Sequence, residues 1–394
     1  MMNEFELGLQ NRRRILGDAW VAQSLGSADA LSAEFQTFIT RHAWFDVWNR
    51  SHASAHDDKT RRLLVLAMTL GLGRYEEFSL HAKAGLMSED ASKLTADDLR
   101  ELVMQGAVYC GVPAANTAMH ALRTVLKEID QTAPALAVTV RGEIRADRPT
   151  LVLSHALGYD QSMWADIIAP LEADYATVTY DHRGQGRSAR TTSDFSMDTL
   201  VDDAASVILN HVFAKGGGPV HFVGVSMGAM VAQGLAARYP HLVKSIVVAN
   251  SAMRYDDTAV ALWRARIDTV KRKGMSAVVE MALARWFGET FRAANPALVA
   301  KVTSILLAND VTDYARSCAA VSAIDFSRSN PLIRCPALVM AGARDEATPP
   351  ELSNQIASSI PRAALVSIDA AHISAVERPE AFVSEVRRFW RDNN

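Results

Sequence analysis

The chain has 394 residues, 49% of them hydrophobic and 22% charged, with a net charge of -3. That length exceeds one ordinary core and points to two soluble globular domains, and the near-neutral mixture of charges excludes a nucleic-acid binder built on a basic face. Three cysteines, Cys110, Cys318 and Cys335, have no metal-ligand spacing, and so odd and sparse a set is expected of reduced, buried thiols, with no metal or cofactor site.

The first residues, Met1 to Leu7, carry acids where an export signal carries bases, and no apolar segment follows them. The longest apolar run, Leu63 to Leu72, is about half a bilayer span. A cytoplasmic protein without a membrane segment is expected. Residues 1–131 read as an all-α domain of five or six helices. Phe35, Phe38, Ile39, His42, Phe45 and Val47 fall mostly at three- and four-residue spacings, and the period recurs from Leu63 to Leu86 and from Leu99 to Leu126. Thr95 followed by Asp98 marks a helix start, and Pro113 fits the first position of the last helix.

The stretch from Asp130 to Ala135 breaks the helical pattern, and Leu136 to Ile144 alternates as a strand does. Residues 132–394 then read as short apolar runs alternating with helices: Leu151–Ser154, Ala176–Tyr180, Val220–Val223, Ile246–Ala249, Ala337–Ala341 and Ala364–Ile368. Continuous apolar runs suit a parallel sheet covered on both faces. The alternation lapses over about 251–335, a helix-rich segment expected to form a cap over the C-terminal edge of the sheet.

Within this half, Gly224-Val225-Ser226-Met227-Gly228 joins a strand to a helix and has the pattern of a nucleophile elbow. A serine nucleophile needs a base to take its proton and an acid to orient that base. Asp345 follows the strand ending at Ala341 and His372 follows the strand ending near Ile368, in the chain order this fold demands. The oxyanion hole is assigned to the N–H groups of Met227 and of Leu157, in the loop Ser154-His155-Ala156-Leu157-Gly158. Trp164 reads as core beneath that loop, and Asp181-His182-Arg183-Gly184-Gln185-Gly186-Arg187-Ser188 as a fold-supporting loop.

These motifs resemble the alpha/beta-hydrolase superfamily from about residue 136 to the end, and Ser154–Trp164, Asp181–Ser188, Gly224–Gly228 and Trp263-Arg264-Ala265-Arg266-Ile267 resemble 3-oxoadipate enol-lactonases. Many relatives have His-Gly-x-Gly where this chain has His155-Ala156-Leu157-Gly158. An enol-lactone carries a free carboxylate, and the cap offers Arg264, Arg266 and Arg285 for it, with Trp263 and Trp286 against the ring.

In the helical half, Arg74, Glu77 and His81 share one helix face. Read alone, they are accounted for by a solvated salt-bridge face. However, Asp58–Leu86 together with Ala107–Asn116 is similar to 4-carboxymuconolactone decarboxylase, in a wider family whose peroxidase-type members carry Cys-x-x-Cys-x-x-x-His on this helix. Here Arg74 and Glu77 replace the cysteines, which excludes thiol redox chemistry and leaves acid–base chemistry. The resemblance implies that Arg74 holds a carboxylate or the developing oxyanion, His81 donates a proton and Glu77 orients it. His42, Trp44 and Trp48 are expected in core packing rather than in a pocket wall.

The decarboxylase product is the lactonase substrate, so the two resemblances together imply a fused bifunctional enzyme acting on small-molecule lactones. Decarboxylase-family domains also assemble into rings, so a homo-oligomer through the helical half is expected. The alternative is a single-activity esterase or lactonase whose helical half only oligomerises it.

Overall fold

The computed structural model describes residues 3–29, 31–50, 56–129 and 135–393. It divides into two compact units, Met1–Ala133 and Pro134–Asn394. The break in pattern over Asp130–Pro134 lies outside the described residues.

The first unit holds seven α-helices among its described residues: α1 (Glu4–Leu16), α2 (Asp18–Gly26), α3 (Ala33–Ile39), α4 (Asp58–Gly71), α5 (Tyr75–Leu86), α6 (Ala96–Tyr109) and α7 (Val112–Glu128). Five or six were expected, and the apolar period of α1 is interrupted by Arg12-Arg13-Arg14. Asn3 and Glu6 nonetheless form a reciprocal cap at the start of α1, and Arg12 is itself buried on its inner face. The stretch read as one amphipathic helix over 35–47 is α3 running into a π-helical segment, Thr40–Val47. Phe35, Phe38 and Val47 are exposed, whereas Trp44 and Trp48 are buried and stacked with ring centroids 5.5 Å apart. His42 is exposed and pairs with Asp46.

The reciprocal cap at Thr95 and Asp98 opens α6 as expected. Pro113 occupies the second rather than the first position of α7, where its missing N–H is equally harmless. Leu66 and Leu70 of α4, Phe78 and Ala82 of α5, Val103 of α6 and Leu122 of α7 form the core. Exposed Leu64 and Met68, with Leu72 at the C-cap, repeat every four residues along the opposite face of α4.

The second unit is built on seven strands: β1 (Val138–Arg141), β2 (Thr150–Ser154), β3 (Ala176–Tyr180), β4 (Val220–Val225), β5 (Val243–Ala249), β6 (Ala337–Gly342) and β7 (Ala363–Ile368). Their order is β1-β3-β2-β4-β5-β6-β7, with β1 antiparallel at one edge and the others parallel. Strands β2 to β6 are apolar on both faces because helices cover both: α8 (Ala165–Ile168), α9 (Met197–His211), α10 (Met227–Arg238), and, after the cap, α16 (Pro350–Ser359), α17 (Ser374–Glu377) and α18 (Pro379–Asn393). Between β5 and β6 the cap contributes α11 (Asp257–Lys273), α12 (Ser276–Trp286), α13 (Glu289–Ala294), α14 (Pro296–Ala308) and α15 (Val311–Ser322). Trp164 is fully buried with Phe382 against it. No helix among the described residues is long and apolar enough to cross a membrane.

Candidate active site

Strand β4 ends at Val225, α10 starts at Met227, and Ser226 is the single residue between them, with φ 55° and ψ -116°. A serine is rarely found there, and such a conformation costs on the order of 1–3 kcal/mol unless its surroundings impose it. They do so here. The Ser226 N–H donates to Ala249 O at 2.9 Å and its carbonyl accepts from Ser251 Oγ at 3.0 Å. The flanking glycines make the turn possible: a Cβ on Gly224 would lie 2.2 Å from the Gly228 carbonyl oxygen, and one on Gly228 would lie 2.0 Å from that of Ser154 on β2.

From β6 and β7 come the other two predicted members. Ser226 Oγ donates to His372 Nε2 at 2.9 Å, and His372 Nδ1 donates to Asp345 Oδ2 at 2.9 Å, the tautomer following from those partners. Asp345 and His372 are both buried. Burial alone would raise the Asp345 carboxyl; the His372 ring it faces, with hydrogen bonds from the Thr348 N–H and Asn250, outweighs burial and holds it below the usual carboxylate range. Thr348 Oγ1 donates to Asp345 Oδ2 at 2.8 Å and Asn250 Nδ2 to the same oxygen at 3.0 Å. Asn250 was absent from the sequence reading. It stands directly after β5 with φ 51°, and its side chain also donates to Ala371 O and accepts from Ser374 Oγ. The available signal was its place at the C-terminal end of the strand next to the elbow.

The loop after β2 carries a free N–H on a residue that lines the cavity, Leu157. Gly158 N–H donates to Gln185 Oε1 at 2.7 Å and Tyr159 N–H to Ala156 O, whereas Leu157 N–H donates to nothing among the described residues. Leu157 lines the same cavity as Ser226 and His372. Ala156 is buried. Met227 N–H, at the first position of α10, adds the field of a helix N-terminus beside Ser226.

That cavity, about 340 Å³, is closed above by α11 and α12. Trp263, Arg266, Arg285 and Trp286 line it, and among the described residues no acidic side chain does. Arg264 is the exception among the expected cap residues: two residues from Arg266 would place it about 200° around the helix, and it lies exposed outside the lining. Arg266 is held between the rings of Trp263 and Tyr314, each centroid 5.5 Å from its guanidinium carbon, and donates from Nη2 to Tyr314 OH. Its Nε is buried without a partner, and no carboxylate pairs with it among the described residues.

In the helical unit, Glu77 and His81 lie on α5 and Arg74 at its N-cap. Arg74 and Glu77 are exposed, His81 half-buried. No hydrogen bond joins Glu77 to His81, whose Nδ1 is buried without a partner among the described residues, so the expected orienting contact is not formed. The one-turn spacing brings the carboxylate near enough only to act through its charge. Burial, then the positive charge of Arg62, lower the His81 ring to about 4, with Glu77 opposing. Sequence reasoning missed Arg62, a fully buried guanidinium donating to Ser92 Oγ at 3.0 Å and Ile15 O at 2.9 Å.

Over residues 149–379 the chain matches the model of the alpha/beta hydrolase fold family, and over residues 33–124 that of the carboxymuconolactone decarboxylase family. It is similar to 3-oxoadipate enol-lactonase 2 of Acinetobacter baylyi, 32% identical over 238 residues, which make up 60% of this chain and 87% of that protein. It is also similar to 4-carboxymuconolactone decarboxylase of the same species, 36% identical over 125 residues, 32% of this chain and 88% of that protein. Among solved structures, the enol-lactonase from Burkholderia xenovorans LB400 aligns with a TM-score of 0.62 and 31% identity, over 66% of this chain and 98% of its own.

Proposed function

The chain belongs to the alpha/beta hydrolase fold family and, through its helical half, to the carboxymuconolactone decarboxylase family, and from that premise we propose that it decarboxylates 4-carboxymuconolactone and hydrolyses the resulting 3-oxoadipate enol-lactone to 3-oxoadipate. The observation that carries the second step is Arg266, an unpaired guanidinium in the cavity of Ser226. A half-buried cation without a counter-ion among the described residues favours an anionic ligand, and a lactone bearing a free carboxylate supplies one.

In this reading His372 takes the Ser226 proton as Oγ attacks the lactone carbonyl, while Asp345 keeps Nδ1 protonated and stabilises the imidazolium. Leu157 and Met227 N–H stabilise the tetrahedral oxyanion. Collapse opens the ring; the leaving enol takes the proton from His372, and water then releases the acyl group by the same path. Trp263 and Trp286 flank the ring, and Arg266, with Arg285 nearer the rim, binds the carboxylate.

In the helical unit, loss of carbon dioxide leaves the electron pair delocalised through the ring alkene to the lactone carbonyl, so no cofactor sink is required. Arg74 binds a substrate carboxylate or that oxyanion, and His81 delivers the proton to the far carbon. The helical unit is also proposed to assemble the protein into a homo-oligomer, which the exposed row Leu64, Met68 and Leu72 supports.

Incubation with 4-carboxymuconolactone should yield carbon dioxide and 3-oxoadipate in equal amounts, from a particle heavier than the 42.9 kDa chain. Hydrolysis of added enol-lactone without carbon dioxide release from the carboxylated precursor would leave only the lactonase. Arg266→Ala should raise the KM for enol-lactone roughly 10- to 100-fold, the value of a charge-assisted hydrogen bond, and leave a neutral ester such as p-nitrophenyl acetate nearly unaffected. Equal losses on both substrates would remove Arg266 from carboxylate recognition.

A further inference from the structure

Leu157 lines the cavity from a loop that contains a glycine at φ +79°, a conformation that Gly158 adopts readily but does not enforce. What fixes the loop is side chains, one from within it and others from outside. His155 Nδ1 donates to Ala156 O at 2.8 Å, which sets the plane of the peptide that carries the Leu157 N–H. The next peptide is set by Gln185, whose Oε1 accepts from Gly158 N–H at 2.7 Å. An N–H can only donate, so the amide oxygen of Gln185 faces the loop and its Nε2 faces away, donating to Ser317 Oγ of cap helix α15 at 3.2 Å. Gly158 O in turn accepts from Asn309 Nδ2, beside the C-terminal end of α14, at 3.0 Å. Gln185 is fully buried and lies outside the cavity lining, so it touches no substrate.

We propose that Gln185 is the positioning residue of the oxyanion hole, and that through Ser317 and Asn309 the cap holds the loop that presents the Leu157 N–H. With Gly158 N–H engaged, Leu157, the member of this loop that lines the cavity, is assigned as the donor to the substrate oxyanion. Without the Gln185 oxygen, the Gly158 peptide is free to turn its own N–H towards the cavity and to change the backbone angles at Leu157. The cap therefore does more than cover the substrate: its docking on Gln185 completes the electrostatics of the site. This inference rests on the reading of Ser226 as the nucleophile.

The probes are p-nitrophenyl acetate, a trifluoromethyl ketone that adds to Ser226 to give a tetrahedral oxyanion, and the corresponding methyl ketone, which binds without adding. Loss of a whole oxyanion donor typically costs about 100- to 1,000-fold in kcat, so a displaced one in Gln185→Leu should cost about 10- to 100-fold. KM should stay within a few-fold. Affinity for the trifluoromethyl ketone should fall by the same factor as kcat, and affinity for the methyl ketone should not change. Gln185→Glu, which keeps an oxygen for Gly158, should recover most of the loss. Equal affinity of Gln185→Leu and the parent protein for the trifluoromethyl ketone overturns the inference. If that variant does not fold, Ser317→Ala is read instead: a severalfold loss in trifluoromethyl ketone affinity alone supports the link to the cap, and no loss overturns it. Failure of the parent protein to cleave the ester or to bind the trifluoromethyl ketone more tightly than the methyl ketone would count against the nucleophile itself.

Discussion

Ser226→Ala should stop lactone hydrolysis while decarboxylation continues, so that 3-oxoadipate enol-lactone accumulates from 4-carboxymuconolactone. The expected loss is on the order of 10,000-fold or more, because removing the nucleophile leaves only what the oxyanion donors and substrate binding contribute. The substitution itself is mild. Ser226 Oγ makes its one hydrogen bond to His372, and the backbone at 226 is held by Ala249 O and Ser251 Oγ, which alanine leaves in place. The helical unit has its own core of α4 to α7 and should not respond. Carbon dioxide release and the two organic products, followed separately, check the result. If the variant formed 3-oxoadipate faster than spontaneous ring opening, Ser226 would not be the nucleophile, whatever its geometry.

The candidate hydrolase site was legible because each of its parts is announced locally. Gly224, Ser226 and Gly228 lie within five residues, and the apolar runs now seen as β2, β4, β6 and β7 place Leu157, Ser226, Asp345 and His372 just beyond their C-terminal ends. Residues that act by tertiary position left no such mark. Asn250 supports Asp345 only because β5 lies between β4 and β6, and Gln185 reaches Gly158 from a loop whose pattern signals the fold. The choice among cap arginines also needed structure. Arg264 and Arg266 are chemically alike, and only the rotation of α11 turns one to the cavity and the other to solvent. In the helical unit, apolar period was a poor guide to burial. Arg12 and Arg62 are inside while Phe35, Phe38 and Met68 are outside; Arg62 places its donors on backbone and hydroxyl oxygens, and Arg12 reaches Thr40 Oγ1 and Ser24 Oγ with its two Nη atoms.

His81 decides whether that unit is catalytic. Burial and Arg62 lower its ring to about 4, so in the free protein only about one molecule in a thousand carries the imidazolium at pH 7. A substrate with two carboxylates changes that environment, since opposite charge brought close raises the pKa. If His81 is the acid, kcat/KM for decarboxylation, which reports the free protein, should climb about tenfold per pH unit as the pH falls from neutral towards 4, and kcat should level off at a higher pH. The folded pKa lies below the ordinary histidine value of 6.5, so the unfolded chain binds more protons between the two. The contribution to stability present at neutral pH is therefore lost as the pH falls through that window, and rates must be read where the helical signal is unchanged. His81→Gln keeps size and hydrogen bonding but offers no transferable proton. It should lower decarboxylation about 100- to 10,000-fold and abolish the climb towards acid, with hydrolysis at Ser226 and the mass of the particle unchanged. A rate within a few-fold of the parent protein would exclude His81 as the acid. Loss of both activities together with the oligomer would make His81 structural and leave the helical unit as an assembly module.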